Sequence, residues 1–297
     1  VIFYFLNGHP AIKGDEAGAS LASLSIKMRC NSFLLVLLFS IHSVISHQAT
    51  GPGFSYDPGS QAGPHLWGKL HDNWTTCTDG KIQTPINIVD KDVRVNTSLG
   101  QLQFKYKPVR AEAHKSGHDM KVTIVGDGGS LQIDGQTFNL SQFHWHWPSE
   151  HTINGKRCFL LCRYALELHL VHTRQHELAV VGILFRYGHR NPLLQRLLPK
   201  FQKVGDQAHD LGIIDPREIT FRSSRYYRYK GSLTTPPCTE EVIWTVMTKV
   251  MEVSRKQVEQ LGKIINHIYD SNARPTQHLK GRTVFINRPP RPHSETR

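Results

Sequence analysis

No apolar run in this 297-residue sequence is long enough to span a bilayer comfortably; the stretch Phe33–Ile41 falls well short. Internal repeats and long low-complexity segments are also missing, which sets aside solenoids and wholly disordered chains. Acidic residues are the scarcer sign, 24 Asp and Glu against 36 Lys and Arg, for a net charge of +12. The cations are scattered and do not cluster with aromatics, so the excess reads as solvated surface and no nucleic-acid partner is expected. No Met precedes Met28. A basic start at Met28-Arg29, the apolar run, and small or β-branched residues at Val44 and Ser46 are the parts of a secretory signal peptide. Residues 1–27 are therefore expected to be untranslated upstream sequence or a disordered extension, and 28–46 to be removed. Cysteine is sparse: Cys30 falls in that leader, leaving Cys77, Cys158, Cys162 and Cys238 for an oxidising compartment. Asn-x-Ser/Thr sites at Asn73 and Asn96 are expected to carry glycans, while Asn139, next to a strand, is expected to be too confined. The tail 288–297 is polar and offers no hydrophobic segment for a lipid anchor, so a secreted, extracellular protein is expected.

What is present is an ordinary globular composition, 39% hydrophobic with five Trp and nine Tyr. After a Gly/Pro-rich lead-in over 47–64, short apolar segments alternate with turn residues: Leu102–Tyr106, Lys121–Val125, Leu131–Ile133, Gln136–Trp147, Ala165–His172 and Leu178–Phe185 read as strands. Helices are few. Asn191-Pro192 caps one through Phe201, and Ser254-Arg-Lys-Gln opens another with Val258, Leu261, Ile265 and Ile268 on one face. This predicts a single, mainly β (α+β) domain over 65–287.

The chemistry gathers around Gln142-Phe143-His144-Trp145-His146-Trp147. Period two puts His144 and His146 on one strand face with Gln142, and Phe143, Trp145 and Trp147 on the other, where they can fill a core. With 18 His in the chain, roughly one His-x-His pair is expected by composition alone, so the pair needs support. It comes from Ala165–His172, where Glu167 and His169 share a face: a carboxylate two residues from an imidazole can fix its tautomer for metal binding.

Gln-Phe-His-Trp-His-Trp at 142–147, Ser-Glu-His-Thr at 149–152, Glu-Leu-His-Leu-Val-His at 167–172 and Ser-Leu-Thr-Thr-Pro-Pro at 232–237 together resemble the α-class carbonic anhydrases, in the family's order and at about its spacings. Gln83–Ile88 and Asn272-Ala273-Arg274-Pro275 extend the likeness, which covers roughly Trp67 to Phe285. The resemblance implies a large central twisted, mostly antiparallel sheet with a few short peripheral helices. It implies Zn²⁺ held by His144, His146 and His169, supported by Gln142, Glu167, Tyr229 and the backbone of Asn272. The implied activity is reversible hydration of carbon dioxide to bicarbonate and a proton through a zinc-bound hydroxide, with incidental esterase activity. Thr234 would orient that hydroxide while donating to Glu150, Thr235 would serve the product, and His118 would shuttle the proton. An apolar substrate wall maps onto Val171, Val180, Leu233, Val242 and Trp244. Cys77 and Cys238 match the disulfide of extracellular members, and Thr84-Pro85 and Pro236-Pro237 match cis peptides. The competing class is a related binding protein with weak or no catalysis.

Departures are also visible. Cys158–Arg163 interrupts the family's run before Tyr164; an apolar hairpin tip would be exposed, so retained intron sequence accounts for it better than a Cys158–Cys162 disulfide. Three polar positions of the family's water network read here as Lys69, Ser116 and Lys121, which predicts altered proton transfer but intact metal chemistry.

Overall fold

The computed structural model describes residues 53–155, 164–219, 225–265 and 271–287. The expected upstream sequence, leader peptide, Cys158–Arg163 insertion and polar tail lie outside these residues, as do Cys30 and Ile268. Thirteen of the described strands form one mixed sheet. Its order is His209–Ile214, Val109–Lys115, Met120–Val125, Gln136–His146, Leu166–Arg174, Glu177–Tyr187, Val242–Met247, Tyr226–Gly231, Phe285–Asn287 and Arg94–Asn96. Gln103–Tyr106, Gly129–Ile133 and Met251–Val253 attach off that path. Most pairs are antiparallel, as expected, but Glu177–Tyr187 runs parallel to Val242–Met247 in the middle of the sheet. There Ala179–Phe185 is buried without interruption, as a strand covered on both faces must be.

Alternation divides the buried side chains between two faces. Phe143, Trp145, Leu166, Leu168 and Leu170 join one core with the inner faces of helices Pro192–Phe201 and Arg255–Ile265. Asn191 starts the first of these helices by accepting the Leu194 N–H (3.0 Å), and Phe201 then meets the Trp145 ring at 5.7 Å. The second has the expected capping box: Ser254 Oγ accepts the Gln257 N–H (3.3 Å) and Gln257 Oε1 accepts the Ser254 N–H (3.2 Å). On the opposite face, Val171, Val180, Leu184, Val242, Trp244 and Val246 form a second core. Among the described residues no helix is long and apolar enough to cross a membrane.

The Gly/Pro-rich lead-in, whose composition reads as extended chain, is folded from residue 53 onward. Ser55, Ser60 and Gly63 close successive turns, with Ser55 N–H donating to Ala62 O at 2.8 Å. The cause is aromatic: Phe54 and Tyr56 pack on Trp67 at 5.0 and 5.5 Å beside the buried Cys77–Cys238 disulfide, which needs a compact segment. Thr84-Pro85 and Pro236-Pro237 are cis as expected, and Trp147-Pro148 is a third cis peptide that sequence reading missed. Asn139, expected to be confined, is exposed, because it lies on the face of its strand that carries no core.

Candidate metal centre

Strand register brings the three imidazoles together. Between Leu140 and Gln142 the Gln136–His146 strand shifts register against Leu166–Arg174, and beyond that irregularity His144 stands directly across from His169 and His146 across from Glu167. The ring centroids of His146 and His169 are 4.6 Å apart, those of His144 and His146 5.0 Å, and those of His144 and His169 5.3 Å. One ligand atom from each lies within 4.8 Å of the others.

The hydrogen bonds decide which nitrogen each ring offers. His146 Nδ1 lies 2.8 Å from the Asn272 carbonyl, which only accepts, so the proton sits on Nδ1 and Nε2 is a bare lone pair. His144 Nδ1 faces Gln142 Oε1 at 2.8 Å, leaving its Nε2 bare. His169 is reversed: its Nε2 donates to Glu167 Oε1 at 3.0 Å, so Nδ1 is the free atom. Burial alone would raise the Glu167 carboxyl, but the charges of His151 and His169 and their hydrogen bonds outweigh it and hold it well below the usual range. His144 is held well below the ordinary imidazole value, first by burial, then by the neighbouring His146, His169 and Lys121. His169 is also lowered, again chiefly by burial. Three imidazoles thus turn His144 Nε2, His146 Nε2 and His169 Nδ1, the nitrogens not spent on these hydrogen bonds, toward one point.

That point fits a cation. His146 Nε2 and Glu150 Oε2 are fully buried, 3.6 Å apart, and neither has a hydrogen-bond partner. Acceptor facing acceptor in a dry interior is costly unless positive charge lies between them. Three nitrogen donors are also the set a catalytic zinc takes. A second group, His151, Glu167 and His169, is close enough in space, but its atoms are spent on one another: His151 Nδ1 bonds Glu167 at 2.7 Å and its Nε2 bonds the Tyr229 hydroxyl at 2.6 Å. It is a brace behind His169, which accounts for Tyr229. Gly182, opposite His169, makes room for that brace, since a Cβ there would lie 2.7 Å from Glu167 Oε1.

Trp244 reaches this imidazole cluster, its ring centroid 4.8 Å from that of His169. Val171, Val180, Val242 and Trp244 are buried in one cluster with Leu233 packed against it. Thr234 is buried and Thr235 half-buried on the loop that Cys238 ties to Cys77. The expected Thr234–Glu150 hydrogen bond is not formed: Glu150 Oε1 accepts the Arg274 N–H at 2.8 Å and Oε2 turns to the imidazoles. Lys69 is exposed, whereas Tyr56 is buried with its ring 5.8 Å from His118.

His118 is half-buried, stacked on Phe54 at 4.3 Å, and lowered from its ordinary pKa mainly by burial, with Asp119 opposing. Asn272 anchors it: Nδ2 donates to the His118 carbonyl (2.9 Å) and to Trp145 O (3.0 Å), while Oδ1 accepts the Trp147 N–H (2.8 Å). Arg274 was not singled out from sequence, yet its backbone N–H fixes Glu150 and its guanidinium ties in the 77–84 segment. Its Nη1 donates to Gln83 Oε1 and Thr84 O, and its Nη2 to Cys77 O, all at 2.8–2.9 Å. Lys121 precedes Val122, the register partner of Phe143, and its charge is felt at His144. Asn73 is exposed; Asn96 is half-buried, with Oδ1 capping Ser98.

A three-imidazole centre braced by Gln, carboxylate and carbonyl on a large mixed sheet defines a class of mononuclear metal proteins. The comparisons narrow it: the family model described as eukaryotic-type carbonic anhydrase matches residues 62–288, and the chain belongs to that family. It is 42% identical over 237 residues to alpha carbonic anhydrase 4 of Arabidopsis thaliana, covering 80% of this chain and 86% of that one. It is 41% identical over 238 residues to dioscorin DB3L of Dioscorea polystachya, covering 78% and 85%. Among solved structures, dioscorin complexed with ascorbate aligns with TM-score 0.76 and 40% identity over 81% of this chain and all of that one. The α-carbonic anhydrase of Thermovibrio ammonificans with sulfanilamide aligns with TM-score 0.70 and 36% identity, covering 78% and 98%.

Proposed function

We propose that this chain is a secreted zinc enzyme that reversibly hydrates carbon dioxide to bicarbonate and a proton. The observation that carries the reading is the forced tautomer of all three imidazoles, which leaves His144 Nε2, His146 Nε2 and His169 Nδ1 bare and convergent. Zinc bound there supplies Lewis acidity, drawing the pKa of its water toward neutrality. The chain's own residues do the rest. Glu150 and Thr234 orient the attacking oxygen and Thr235 holds the product. Val171, Val180, Leu233, Val242 and Trp244 give a small uncharged substrate an apolar wall without competing hydrogen bonds. His118 accepts the proton and passes it to solvent, with the neighbouring Tyr56 hydroxyl kept protonated because burial raises it far above its ordinary pKa. The buried Cys77–Cys238 disulfide supports an oxidising, extracellular location, and exposed Asn73 is the better placed of the two expected glycosylation sites.

The dioscorin likeness favours a second reading, a ligand-binding relative with weak catalysis. Metal analysis with stopped-flow hydration of carbon dioxide separates the two. The enzyme reading expects about one zinc per chain and a rate far above buffer; metal without acceleration supports the second reading, and a folded protein that retains no metal ends the first.

A further inference from the structure

On the sheet face opposite the imidazoles, the Tyr226–Gly231 strand presents Arg228, whose register partners are Thr245 and Phe285. Arg228 is 8% exposed. Its Nε donates to Thr245 Oγ1 at 3.1 Å and its guanidinium lies 5.2 Å from the Tyr226 ring centroid. Nη1 and Nη2 have no acceptor among the described residues, and no carboxylate forms an ion pair with the group. A buried cation normally finds such a partner, because an uncompensated charge in a low dielectric is costly. Burial accordingly lowers the Arg228 pKa, opposed first by Tyr226 and then by Asp134, which lines the same groove without pairing with the guanidinium.

The unused side of the guanidinium meets open space. Arg228 lines a groove of about 480 Å³ whose walls include Ile243, Phe285 and Tyr229, with Lys230 and Arg282 at its edge. A smaller hollow of about 160 Å³ adjoins it on the side of Tyr226. Arg282 is already satisfied by carbonyls and Lys230 pairs with Glu241, so Arg228 is the cation left to a ligand. Two free N–H groups in one plane match a carboxylate's two oxygens, and the aliphatic and aromatic walls match an apolar body. We propose that this groove is a second ligand site, independent of the metal centre, that binds a small organic carboxylate with an aromatic or aliphatic body, its carboxylate on Arg228. Asp134 sets the affinity by repulsion and Lys230 adds long-range attraction.

The test titrates benzoate into the full-length protein by calorimetry and locates 4-iodobenzoate by anomalous diffraction. The expected result is saturable binding with iodine density beside Ile243 and Phe285. Arg228→Gln weakens it at least tenfold, Lys230→Gln weakens it severalfold, and Asp134→Asn tightens it. Lys230 and Asp134 are exposed, so these two variants decide the matter if Arg228→Gln fails to fold. No saturation up to about 20 mM benzoate, iodine density at the imidazole cluster alone, or equal affinity in all variants overturns the site.

Discussion

His172 offers a test of how the interior holds its ionisable groups. It is fully buried, with Nδ1 3.2 Å from the Ala179 carbonyl and Nε2 2.6 Å from the Tyr106 hydroxyl. The carbonyl fixes the proton on Nδ1, so Nε2 accepts from Tyr106, whose own pKa is driven up by burial. Protonating Nε2 would turn that acceptor into a donor and place a charge where no anion waits. Burial therefore pushes the imidazole from its ordinary 6.5 down to about 4, although its backbone hydrogen bonds work the other way. Between those two values the unfolded chain binds a proton that the folded chain refuses, so stability present at neutral pH is lost as pH falls. By pH 4.5 the loss from this one site is about 2.5 kcal/mol. His172→Gln keeps a donor for Ala179 and cannot titrate. Urea unfolding followed by Trp fluorescence, disulfide intact, should show the wild-type advantage over the variant shrinking by that amount between pH 7 and 4.5. Parallel pH profiles for the two proteins would refute the reasoning.

Three further outcomes follow from the geometry. Replacing Cys77 and Cys238 by Ala releases a link across 161 residues and should cost about 5 kcal/mol in denaturant unfolding on chain-entropy grounds; a loss near zero would show the loop to be held by other contacts. Gly182→Ala drives a methyl against Glu167 and should weaken zinc affinity by about 10–100-fold in chelator competition, since the His169 brace is displaced. Unchanged affinity would mean that the brace does not set the ligand. His118→Ala should slow turnover in weak buffer and recover with added imidazole, whereas an unchanged rate would remove its shuttle role.

Much of the site was legible because strand period and metal chemistry operate over a few residues: His144, His146, Glu167 and His169 declare their faces locally. What was hidden is what distance in the chain conceals. The register shift between Leu140 and Gln142 leaves no mark in the sequence, yet without it His144 would not face His169. Strand Val109–Lys115 was missed because its inward positions include Ala111 and Ala113, too small to give a hydrophobic alternation. Tyr56 was passed over because its segment reads as a Gly/Pro-rich approach, and only the folded aromatic cluster reveals the contact with His118. Arg274 looks like any surface cation until its three carbonyl and amide partners, all distant in sequence, are seen.

Asn272 fastens the His146 ring, the Trp147 backbone and the His118 carbonyl. The ribosome makes it long after all three ligand-bearing positions have emerged. On a nascent chain His144 and His169 already have Gln142 and Glu167 beside them, whereas the His146 ring lacks the carbonyl that fixes its tautomer until this late segment is in place. Order of synthesis thus leaves the third ligand of the cluster to be oriented last.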